Sequence, residues 1–91
     1  MGVRRILKYP LYCGQATTDI KCNFVRVLDI QVQHSNVTAW ILTDDSVPEV
    51  EISLIPVGTG WEIPSEIMDG LEYVKTVQDD YGFVWHYHMK V

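Results

Sequence analysis

In Val50-Glu51-Ile52-Ser53-Leu54 apolar and polar side chains take strict turns, and this two-residue beat restricts the fold more than any other feature of the chain. Successive side chains of an extended strand point to opposite faces, so such a run buries one face and wets the other. Comparable runs rich in Val, Ile, Thr and aromatic residues recur along the sequence. They are cut by turn-forming clusters at Cys13-Gly14-Gln15, His34-Ser35-Asn36, Asp44-Asp45-Ser46-Val47-Pro48, Gly58-Thr59-Gly60 and Asp79-Asp80-Tyr81-Gly82. The spacing predicts strands at about 3–12, 21–34, 37–43, 49–57, 71–78 and 83–91. The expected fold is mainly β, a small antiparallel sandwich or barrel-like roll of about six strands with at most one short helical turn.

Three segments refine this expectation. Residues 37–43 are apolar on both faces, as a central strand requires. In Phe24-Val25-Arg26-Val27-Leu28-Asp29-Ile30-Gln31-Val32-Gln33 the apolar phase slips, because Val25 and Val27 share one parity while Leu28, Ile30 and Val32 share the other. A β-bulge near Val27-Leu28 would restore a continuous inward face. The one place for a helix is residues 62–70, where Ser65 could cap a single turn ended by Gly70; a 3₁₀ turn or a plain loop fits equally.

Ninety-one residues with 47% hydrophobic content are expected to form one domain over 1–91. No apolar run is long enough to span a bilayer, and MGVRRILKYPLY lacks the apolar core and cleavage site of a signal peptide, which predicts a cytoplasmic protein. Cys13 and Cys22 flank a turn and could face each other across a hairpin; in a reducing compartment two free thiols are expected instead.

Charge is divided along the chain. Residues 1–43 carry five basic and two acidic groups, and residues 44–91 two basic and ten acidic ones. The net charge of −5 argues against binding duplex nucleic acid, which needs a broad basic face. A local basic patch around Arg4, Arg5, Lys8, Lys21 and Arg26 could hold a small anion, and the acidic half could mimic a charged partner surface.

The closing stretch Phe83-Val84-Trp85-His86-Tyr87-His88-Met89-Lys90-Val91 alternates as a strand. It is expected to place Phe83, Trp85, Tyr87, Met89 and Val91 in the core and Val84, His86, His88 and Lys90 on the more polar face. Two imidazoles make too few ligands for a stable metal site, so none is expected; His86 and His88 are instead candidates for contact with a ligand. The Asp44-Asp45 and Asp79-Asp80 pairs sit in turn signals where Asp is favoured, and neighbours along a strand point apart. No nucleophile elbow or zinc-enzyme motif occurs, so the sequence predicts no catalytic residue and no cofactor.

Val57-Gly58-Thr59-Gly60-Trp61 resembles the start of a phosphate loop but lacks the third glycine, a following helix and a Gly-Lys-Ser/Thr. Gly58, Thr59 and Gly60 could bring backbone amides to a ligand, with Trp61 as a stacking surface and Arg26 as a phosphate contact. The plainer reading is a turn whose Trp61 folds over the edge of the core.

Taken together, ILKYPL, VLDIQVQHSNVTAWIL, VGTGWEIP and LEYVKTVQ…FVWHYH resemble an uncharacterised family of small proteins of tailed phages and prophages. The family's ordered pattern falls on Lys8-Tyr9, Ile30-Gln31-Val32-Gln33, Trp40-Ile41-Leu42, Gly58-Thr59-Gly60 and Val84-Trp85-His86, and the chain departs from it at Trp61. The resemblance implies an origin rather than a mechanism. It leads to the expectation of a phage accessory protein in the host bacterial cytoplasm, a non-enzymatic binder that sequesters a small anionic nucleotide immune signal. A host-protein inhibitor using the acidic half, or a minor virion or morphogenesis component, are the alternatives. Exposed strand edges on so short a sheet lead to the further expectation of a homo-oligomer.

Overall fold

The computed structural model describes residues 2–11 and 17–90. Its strands are β1 (Arg4–Pro10), β2 (Thr18–Cys22), β3 (Phe24–Gln33), β4 (Asn36–Asp44), β5 (Val50–Gly58), β6 (Glu72–Gln78) and β7 (Val84–Lys90), with one short helix, α1 (Ser65–Met68), between β5 and β6. The strands form two antiparallel sheets, a three-stranded one ordered β1-β4-β3 and a four-stranded one ordered β2-β5-β7-β6. The fold is a mainly β sandwich rather than a closed barrel.

The expected strand over 21–34 is two strands in different sheets. The chain leaves the four-stranded sheet after Cys22 and enters the three-stranded one at Phe24. Asn23, between them, is tied at both ends: its carbonyl accepts from the Asp44 amide at 3.0 Å and its Nδ2 donates to the Val47 carbonyl at 2.8 Å. Continuous apolar character hid this break, since both strands bury the same residue types. β2 also begins earlier than the alternation suggested, with Thr18, Ile20 and Cys22 buried and Asp19 and Lys21 exposed. Cys22 is a free thiol in the core, and burial, then the nearby Glu49 charge, push its pKa up; Cys13 and its turn lie outside the described residues.

The core forms where inward faces meet. Ile30, Ala39, Ile41, Ile52, Leu54 and Tyr87 are fully buried. β4 is the central strand of its sheet, and the bulge in β3 falls where the phase slip lies: Val27 pairs with Ile41 and Asp29 with Trp40, so Leu28 is skipped and Ile30 turns inward. A second irregularity lies between Phe24 and Arg26. The β3–β4 hairpin turns through His34 and Ser35 at φ 49° and 68°, the left-handed pair of a type I′ turn filled here by non-glycine residues. At one side of the sandwich, the edge strands β3 and β6 lie together and are joined by Lys75 Nζ to Asp29 Oδ1 at 2.8 Å.

Other expectations are corrected. Phe83 is 61% exposed rather than core, because it precedes β7 and sits on the turn, its ring tilted against Trp85 at 6.2 Å. Ser65 does not cap α1; the cap position is Pro64 and makes no side-chain bond. Val91 lies outside the described residues. No helix among the described residues is long and apolar enough to cross a membrane.

Candidate functional site

The predicted ligand residues fall at two separate places. β5 ends at Gly58, opposite Trp85 of β7, and the chain reverses through Gly60 at φ +82°, a left-handed position that suits glycine. The Trp61 amide donates back to the Gly58 carbonyl at 3.2 Å. A Cβ on Gly58 would stand 2.5 Å from the Trp61 indole, so glycine is what lets that ring lie against the strand. Trp61 meets Trp85 edge to face at 5.6 Å and 80°. The tryptophan thus covers the end of the core, and with 44% of its surface exposed it still presents a ring edge to solvent.

Thr59 and His86 are brought together. Thr59 Oγ1 lies 2.7 Å from His86 Nε2, Thr76 Oγ1 lies 2.9 Å from Nδ1, and Tyr73 Oη is 2.7 Å from the same Thr76 oxygen. A neutral imidazole has one donor and one acceptor nitrogen, so one hydroxyl gives a proton to the ring and the other receives one. Both ring nitrogens are engaged. The chain of groups therefore holds the glycine turn to β7 and β6, and His86 must release a hydroxyl before it can take a ligand.

His88 is not on a wet face, contrary to the alternation. It is 7% exposed, donates Nδ1–H to the His86 carbonyl at 2.9 Å, and meets the Tyr73 ring at 5.7 Å. Its cover is the Tyr73 ring of β6. Next to it the 59–71 crossover lies over the same outward face, where Ile63, Ile67 and Leu71 line a cleft of about 410 Å³ with Ile55, the pairing partner of His88, and Val57. Alternation separates two faces of a strand but cannot say whether one is later covered.

The cavity at the glycine turn, about 440 Å³, is lined by Gly58, Thr59, Trp61, Gly82, Phe83, Val84 and Trp85 and contains no cationic side chain. Its neighbour Asp79 is anionic: Oδ1 accepts from the Tyr81 and Phe83 amides and Oδ2 from Trp85 Nε1, each at 2.9 Å. Arg26 is elsewhere. It lines a cavity of about 480 Å³ between β3 and β6 with Phe24, Val25, Val27, Glu72, Tyr73, Val74 and Met89. Among the described residues its guanidinium has no ion pair. Phe24, Glu72 and Tyr73 are the lining residues that sequence reasoning missed, because no local pattern joins β3 to β6.

Three carboxylates are held below the ordinary aspartate value of about 3.9. Asp79 is lowered chiefly by the Trp85 indole, Asp44 by the Ser46 hydroxyl and amide, and Asp29 by Lys75 and then Gln31. Folded values below the unfolded one mean that their stabilisation is complete above about pH 4 and is lost as pH falls through the folded values. The melting temperature is expected to drop on acidification below about pH 4, and Asp79→Asn to flatten that loss. Circular dichroism melts across acid pH check this; a Tm that holds or rises would contradict it.

The family model described as Domain of unknown function (DUF7352) matches residues 3–91. No curated protein and no solved structure matches the chain.

Proposed function

The chain belongs to the DUF7352 domain family, and from that premise we propose that it acts by holding a small aromatic anion, a nucleotide, in the cavity between β3 and β6. The observation that carries this reading is the convergence of Arg26, Phe24 and Tyr73 on one cavity. A nucleotide needs a cation for phosphate and a flat apolar surface for the base. Arg26 supplies the first, the rings of Phe24 and the 57% exposed Tyr73 the second, and Glu72 an acceptor for an exocyclic amine or ribose hydroxyl. The glycine turn, offered by the sequence as a phosphate cradle, becomes a structural clamp in this proposal, since its cavity holds aromatic rings and a neighbouring carboxylate.

The resemblance to small tailed-phage proteins supports a setting in which the bound nucleotide is a host immune signal, sequestered in the bacterial cytoplasm without being cleaved. Thermal-shift titration with cyclic dinucleotides and ADP-ribose tests the proposal. Ligand at about 100 times Kd adds about 2.7 kcal/mol, which for a chain of this size raises Tm by about 11–22 °C. Arg26→Ala is expected to weaken binding by about 10- to 100-fold, the worth of a charge-assisted contact. A flat response to every nucleotide refutes the reading and would favour capture of a host protein.

A further inference from the structure

Among the described residues none forms a layer over the outer face of the three-stranded sheet, yet that face is not polar. Along its central strand the outward residues include Trp40 and Leu42, both half-buried, beside Ile6 of β1, which is 60% exposed. Lys8 stands opposite Trp40 and has no ion pair among the described residues, its ammonium donating only to Gln33 Oε1 at 3.4 Å. Arg4 and Asp44 neutralise each other at 3.1 Å, and Asp29 is occupied by Lys75. β1, β3 and β4 together carry four basic and two acidic residues.

The opposite side of the molecule is its complement. The crossover carries Glu62, Glu66 and Asp69, and Ile67 is 55% exposed at the cleft it shares with Ile55, Val57 and Leu71. β2, β5, β6, β7 and the 59–71 crossover carry six acidic and three basic residues. The Cα envelope measures 45 × 34 × 16 Å, so these are the two broad sides of a plate. The cleft itself is lined by Glu66 and Lys90, but the crossover that forms it bears Glu62, Glu66 and Asp69 and no basic residue, so a ridge carrying Lys8 fits it better than it fits another ridge.

From this we infer that the chain associates with copies of itself head to tail, the Ile6–Trp40–Leu42 strip of one copy seated in the crossover cleft of the next, with Lys8 facing Glu66 and Asp69. Such a contact is heterologous and gives a ring or an open stack rather than a twofold dimer, because two basic ridges brought together repel and each leaves its cleft empty. The inference does not depend on the nucleotide cavity, and its failure leaves that reading standing.

Light scattering coupled to size-exclusion chromatography at low salt tests it with two exposed-site variants, Ile6→Glu and Ile67→Asn, whose folding is verified by circular dichroism. Wild type is expected to grow beyond a dimer with concentration and to shrink as salt screens the charges. Each variant alone is expected to be monomeric, and their equimolar mixture to form a 1:1 heterodimer, joining the intact ridge of the Ile67→Asn chain to the intact cleft of the Ile6→Glu chain. A wild type monomeric at every concentration overturns the inference. So does a fixed dimer that survives in Ile67→Asn, or a mixture that remains monomeric.

Discussion

Trp85→Ala is expected to remove about 3–5 kcal/mol of stability, the cost of emptying a buried aromatic site. A chain of this length has about 5–14 kcal/mol in all, so the variant should be close to unfolding at moderate temperature. Trp85 is 8% exposed and is the pivot of the sandwich's end: Trp61 packs on it edge to face, Phe83 leans on it, and its indole N–H donates to Asp79. Alanine removes the support for both neighbouring rings and one of the bonds that order the β6–β7 turn. Trp85→Phe separates these effects, keeping an apolar ring while deleting the donor, and is expected to cost much less. Urea unfolding followed by far-ultraviolet circular dichroism reads both variants. A loss below about 1 kcal/mol for alanine would mean that this end of the core is not closed as described.

Leu54→Ala is expected to cost about 2–5 kcal/mol, with the urea midpoint lowered and the slope unchanged. Leu54 has no exposed surface and sits mid-strand in β5, between Thr18 of β2 and Met89 of β7. Strands on both sides fix its backbone by hydrogen bonds, so the site cannot collapse around the missing methyl groups. Ile52→Val, one methylene at an equally buried neighbour, is the control and is expected to cost about 0.5–1.5 kcal/mol. Equal losses for the two would show that the interior relaxes freely and is not packed as the structure indicates.

Much of this fold was legible before any coordinates. The alternation in β5 corresponds to the buried Ile52 and Leu54, and the phase slip at Val27-Leu28 marked a real bulge. β4 is the central strand of its sheet, with Ala39 and Ile41 buried on one face and Trp40 and Leu42 only half-buried on the other. The break at Asn23 was not legible, because its signal is a pair of hydrogen bonds to residues far along the chain. The candidate site was read less well. Thr59 and His86 do meet, and Trp61 does fold over the core edge, but Arg26 belongs to another cavity.

From its own order of residues this chain determined which side chains alternate, where the backbone must reverse, and how charge divides between its halves; each is a local property, carried by neighbours within a few positions. Tertiary structure alone decided that the 59–71 crossover would lie over one sheet while, among the described residues, nothing lies over the other. It laid the Tyr73 ring against His88, now buried, and left Ile6 open to solvent. It also set Tyr73 across from Arg26. The physical reason is that burial depends on what arrives from distant segments to cover a face, and a period of two records only that a strand has faces to cover.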